Sequence, residues 1–258
     1  STNFFIDGYD WTAATQGEWS WSWLRRINFM IEGMEKNALG KVSEEVYNHY
    51  MGVARFWRAY YTFDRMKTYG NIPWTNKYLQ PTDTEILYAD RLDREQVFNE
   101  IVNDLEYAIA NVSGDEKYRV GQVYINKYVV AAFASRFMLF EGTWYNYHAG
   151  SGSADLSKKF LQAAVDFAQI VMNSGKYKFD ADFRSLFGSE TQVGTEAILF
   201  REYSADLGVT HCIASYANLD ENQASMANLS LLKAWICNDG KPYTSSTVDN
   251  VGSWDLKD

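Results

Sequence analysis

A chain of 258 residues with 47% apolar content is long enough to bury one large core or two small ones, which excludes a disordered or fibrous class. Its 33 acidic side chains outnumber 24 basic ones for a net charge of −9, and no run of five Lys or Arg interrupts that balance, which excludes a nucleic-acid footprint. Two cysteines, Cys212 and Cys237, rule out a disulfide framework and leave either one bridge or two buried thiols.

Residues 1–17 read as a loop carrying Trp11, and no stretch of eighteen apolar residues follows anywhere in the chain. From Glu18 to Asn37, Trp19, Trp23, Ile27, Met30 or Ile31, and Met34 recur at helical spacing. Trp19 and Trp23 are therefore expected in the core, and Trp21, two residues from each, on another face. A longer helix follows. It is entered at Ser43 with Glu44 and Glu45 in the first turn, and closed by Lys67, Gly70 and Pro73. Tyr50, Val53, Trp57 and Tyr60 mark its expected core face, while Arg58 and Asp64 are expected to tie helices together by charge-assisted hydrogen bonds.

Residues 71–92 hold two prolines among Asp and Thr and read as an extended excursion over the surface. Asp93 with Gln96 resembles a capping box, and Val97, Ile101, Leu105, Ile109 and Val112 give the stripe of the helix it opens. Another helix is expected from Asn126 to about Gly142 or a turn later, with Val129, Phe133, Arg136, Phe137 and Phe140 on one face, pairing with the preceding one as a hairpin. A further helix over 156–173 stops at Gly175, with 182–187 as a short partner. Beyond it, Ala197–Phe200 is a candidate strand and Leu229–Ile236 a candidate helix. The sum is an all-α fold of tetratricopeptide-like helical hairpins, an α/α superhelix, with an appended irregular region. The scaffold is assigned to 1–188, and 189–258 to the start of an irregular mixed subdomain, incomplete at its C-terminal end.

The chemistry-bearing residues argue for binding rather than catalysis. His49, His148 and His211 stand apart, no Cys pair has metal spacing, and neither a nucleophile elbow nor a phosphate-binding glycine loop is present. No catalytic residue, metal or cofactor is expected, although Glu141, Asp10 and Glu18 near aromatics leave a paired-carboxylate glycosidase as an alternative. Aromatic residues reach 16% of the chain, with nine Trp and eighteen Tyr. A sugar ring offers a C–H face and a rim of hydroxyls, so it needs an aromatic platform beside polar side chains. Three groups supply that combination: Trp11, Trp19 and Trp21; Trp144, Tyr145 and Asn146; and Tyr203, Tyr216 and Asn218. Each also has a packing role as its alternative.

Several blocks carry a family resemblance. Ala54-Arg55-Phe56 through Arg58-Ala59-Tyr60-Tyr61 and Phe63-Asp64, followed by Tyr69-Gly70-Asn71-Ile72-Pro73, resembles the signature of the SusD/RagB family of surface glycan-binding lipoproteins of Bacteroidetes. The blocks Arg94–Ala108, Asn126–Leu139, Ala163–Phe187 and Leu231–Pro242 are similar to that family in the same order. The resemblance implies non-catalytic capture of an oligosaccharide or polysaccharide nutrient at the outer face of the outer membrane. It further implies an N-terminal lipid anchor, a SusC-like TonB-dependent transporter as partner, and a C-terminal part beyond this chain. A protein-binding tetratricopeptide-like scaffold is the alternative.

Overall fold

The computed structural model describes residues 19–149, 153–188, 194–212 and 229–247. Its helices are α1 (Ser22–Asn37), α2 (Glu44–Tyr69), α3 (Thr84–Leu87), α4 (Arg94–Asn111), α5 (Lys127–His148), α6 (Ala154–Met172), α7 (Phe183–Gly188) and α8 (Leu229–Ala234). The expected all-α class holds. Among the described residues extended pairing is limited to isolated bridges such as Ile72 with Leu92. The segment 197–200 is irregular rather than a strand, and its Phe200 N–H donates to Gln122 O at 3.1 Å.

The chain divides into two compact units, one ending at Arg201 and one beginning at Glu202. In the first, successive long helices run antiparallel. Helix α2 lies between α1 and α4, which explains why its expected core face was incomplete. With neighbours on two sides, Phe56, Ala59, Phe63 and Met66 pack against α4 and α5, and Met51 and Ala54 pack with Ile27 and Ile31 of α1. Tyr50 is exposed, and Val53, Trp57 and Tyr60 are only half-buried. The expected ends of α2 are observed: the Val46 N–H donates to Ser43 Oγ at 3.4 Å, and Gly70 adopts φ +72°. The capping box of Asp93 and Gln96 opens α4 as read.

Two buried ion pairs join these helices. Asp104 of α4 accepts from Arg55 Nε at 2.7 Å and from Arg58 Nε and Nη2 at 2.6 and 2.7 Å. Arg94 of α4 grips Glu141 of α5 through Nε and Nη2 at 2.8 and 2.7 Å, a bidentate geometry. Asp64, by contrast, pairs among the described residues with its near neighbours Lys67 and Arg65. His49 of α2 stacks on Tyr118 at 3.7 Å and accepts the Ser113 N–H on Nδ1; desolvation holds its pKa below the usual value.

Helix α5 continues six residues past Gly142, to His148. Gly142 is not a stop but a contact: a Cβ there would lie 2.8 Å from Leu161 Cγ, and Gly142 O accepts from Ser157 Oγ at 2.8 Å. Helices α5 and α6 form the most extensive pair in the unit, followed by α2 and α4, whereas α4 and α5 meet over a smaller area. The hairpin expected from α4 and α5 is thus secondary to these two.

The second unit contains α8 and a turn at Asp239-Gly240, where Gly240 takes φ +74° and the Cys237 N–H donates to Lys241 O at 2.9 Å. Cys237 is buried, Cys212 is exposed, and the two are not bonded.

Candidate binding site

The 71–92 excursion is folded back onto α1. Asn28, buried on α1, donates both amide hydrogens to backbone carbonyls of the excursion, Thr75 O at 3.0 Å and Lys77 O at 3.1 Å. Its Oδ1 accepts from Arg58 Nη1 at 3.3 Å. One turn further on, Glu32 Oε1 accepts the Tyr78 N–H at 2.7 Å, and this bond, helped by Lys36, holds the Glu32 carboxyl below its ordinary pKa. Tyr78 is flanked by Phe29, with ring centroids 5.1 Å apart, and by the Arg25 guanidinium 4.2 Å above its ring. Asp83 closes the excursion on itself, accepting the Gln80 N–H at 2.7 Å and Lys77 Nζ at 2.6 Å, which lowers its pKa.

Between the start of α1 and this excursion lies a cavity of about 730 Å³. Trp19, Trp21 and Trp74 supply aromatic wall, Leu79, Ile86 and Leu87 aliphatic wall, and Ser22, Arg25, Thr75, Lys77, Gln80 and Arg91 polar groups. The indoles are held from behind. Trp19 packs edge-on against Trp21 at 5.2 Å and Tyr69 at 4.7 Å and carries Arg91 over its ring at 5.1 Å; Trp74 backs onto Arg58 at 5.1 Å. Trp21 occupies the N-cap position of α1 and makes no side-chain cap hydrogen bond, so its indole is not committed to the helix end. The volume is in the range of small-molecule sites, and the mix of flat apolar walls with a few polar groups is what an oligosaccharide segment requires.

Residues 2–139 match the sequence model of the SusD-like family, described as starch-binding and associating with the outer membrane. The chain belongs to the SusD-like family. Solved structures agree on the fold. A SusD superfamily protein of Bacteroides fragilis NCTC 9343 is 19% identical with a TM-score of 0.60, over 85% of this chain and 41% of its own. A crystal structure with xylogluco-oligosaccharide is 19% identical with a TM-score of 0.54, over 71% and 34% of the two chains. A laminarin-binding SusD-like protein is 17% identical with a TM-score of 0.52, over 68% and 34%. The SusD-like chain thus spans 34% to 41% of the length of these structures. No curated protein sequence matches it significantly.

Of the binding candidates read from this SusD-like sequence, Trp19 and Trp21 line the cavity. Trp144, Tyr145 and Asn146 do not; they lie on the last turns of α5, where Trp144 covers the Arg94 guanidinium at 4.2 Å, Tyr145 is 7% exposed and Asn146 is exposed. Burial pushes the Tyr145 hydroxyl up to about 12. Tyr203, in the second unit, is 42% exposed and meets His211 edge-on at 4.8 Å. Trp11, Tyr216 and Asn218 lie outside the described residues, as do Asp10 and Glu18. Glu141, the described member of the glycosidase alternative, is fully buried with both oxygens bonded to Arg94; burial pushes its carboxyl upward while Arg94 pulls the other way. Among the described residues the cavity lining holds no carboxylate.

Sequence reasoning missed Trp74, Arg25, Gln80 and Arg91. The signal for Trp74 was available: an indole directly after Pro73, inside a segment already read as lying on the surface. Trp23 was misplaced in the core and is 52% exposed, stacked on Tyr61 at 5.9 Å. The buried stripe of α1 runs through Leu24, Ile27, Asn28 and Ile31: Ile27 and Ile31 are buried as expected, Leu24 takes the place assumed for Trp23, and the polar Asn28 joins the core.

Proposed function

We propose that this protein captures an oligosaccharide in the cavity between α1 and the 71–92 excursion, without cleaving it. The observation that carries the reading is the convergence of Trp19, Trp21 and Trp74 on one cavity that also holds hydrogen-bonding side chains. Family membership supports it, as do relatives with the same fold that bind laminarin or were solved with a xylogluco-oligosaccharide. In the fuller form of this reading the protein sits on the outer face of the outer membrane through an N-terminal lipid anchor and delivers its ligand to a SusC-like TonB-dependent transporter.

The test is calorimetric titration with a panel of plant, host and microbial oligosaccharides, with product analysis on the same samples. Saturable binding with intact saccharide is expected, and Trp74→Ala is expected to weaken it about tenfold or more, the loss of one stacked aromatic contact. Cleavage would replace capture with hydrolysis, and undiminished binding by Trp74→Ala would move the site elsewhere.

A further inference from the structure

The charge of the cavity runs against the charge of the chain. Carboxylates outnumber cationic side chains by 33 to 24 in the sequence, yet among the described residues the lining holds Arg25, Lys77 and Arg91 and neither Asp nor Glu. Lys77 is compensated by Asp83 at 2.6 Å. Arg25 and Arg91 are not: among the described residues neither has a carboxylate within ion-pairing distance, and both are exposed. What holds them is aromatic. Arg25 lies 4.2 Å from the Tyr78 ring centroid and Arg91 lies 5.1 Å from that of Trp19. A guanidinium held against a ring through its face keeps its in-plane N–H fork free to donate.

Donor chemistry decides what such a site selects. Arg and Lys only donate, whereas a neutral sugar hydroxyl both donates and accepts and is well served by carboxylates, of which the described lining residues include none. A carboxylate or sulfate on a sugar is an acceptor only and matches a free guanidinium fork with a charge-assisted, bidentate pair. Resting on the reading of this cavity as a saccharide site, we infer that its ligand is an acidic saccharide, with the C–H face of the ring against the indoles and the anionic substituent held by Arg25 and Arg91.

The test uses the whole chain, titrated calorimetrically with an oligogalacturonate, with the same oligomer after reduction of its carboxyl groups, and with a sulfated chondroitin oligosaccharide. Arg25→Gln and Arg91→Gln are measured beside Arg136→Gln, an exposed arginine outside the cavity that also lies near an aromatic ring, Phe133 at 5.8 Å. Thermal melts show that each variant is folded. At least one acidic oligomer is expected to bind at least tenfold more tightly than the reduced one, with affinity falling as salt rises. Each cavity substitution should weaken that binding about tenfold or more, and Arg136→Gln should leave it unchanged. Preference for either acidic oligomer over the reduced one supports the inference. Equal or tighter binding of the reduced oligomer, or acidic binding indifferent to both substitutions, overturns it. If the reduced oligomer binds in a Trp74-dependent way and the acidic ones do not, the charge inference alone fails; if no saccharide binds, the saccharide reading fails with it.

Discussion

Arg58 does two things at once. Its Nε and Nη2 hold Asp104 at 2.6 and 2.7 Å, while Nη1 reaches Asn28 and the guanidinium lies 5.1 Å from Trp74. The ion pair that ties α2 to α4 therefore also backs the cavity wall. Asp104 is 1% exposed, so Asp104→Ala would leave Arg58 buried without a carboxylate. Loss of one partner of a buried pair costs roughly 3–5 kcal/mol, and urea unfolding is expected to show it. Because Arg58 then loses its anchor, tryptophan emission of the folded variant should also shift, which a purely remote destabilisation would not produce. That Arg58 serves as an inter-helix tie was legible in the sequence, since an Arg on a packed helix needs a partner. That Asn28 is the hinge between core and cavity was not, because an Asn between Ile27 and Phe29 carries no periodic signal.

At the scale of elements, the sequence was most reliable where backbone chemistry is local and least reliable where a second helix decides. Ser43, Gly70 and the Asp93–Gln96 box mark helix ends through their own backbone groups, and all three are observed. The same local logic placed the end of α5 near Gly142 or a turn later; the contact with α6 carries the helix through Gly142 to His148. A pair of substitutions separates the two roles. At Gly33 of α1 nothing lies within 4 Å of an added Cβ, so Gly33→Ala should stabilise by roughly 0.5–1 kcal/mol through helix propensity alone. At Gly142 the same propensity gain is opposed by Leu161 Cγ at 2.8 Å and the Leu161 backbone N at 3.0 Å. Overpacking costs roughly 1–3 kcal/mol, so Gly142→Ala should be net destabilising. Thermal midpoints moving in opposite directions would establish the contrast; a shift upward at both positions would mean that α6 yields.

The whole chain covers 34% to 41% of the solved relatives described above, and the described residues that line its cavity fall between Trp19 and Arg91, inside the first compact unit. This follows from topology: α1 and the 71–92 excursion are joined through α2, and the hydrogen bonds of Asn28 and Glu32 close the ring locally. If the cavity is the site, a chain ending at Arg201 should fold cooperatively and bind the ligand of the full 258-residue chain with unchanged affinity. Urea unfolding followed by tryptophan emission tests the first half of that statement and calorimetry the second. A truncated chain that folds with the same midpoint but binds at least tenfold more weakly would transfer part of the site to the second unit, and with it the roles of Tyr203, Tyr216 and Asn218. Retained affinity would confine recognition to the first unit, with the indoles and cations between Trp19 and Arg91 as its core.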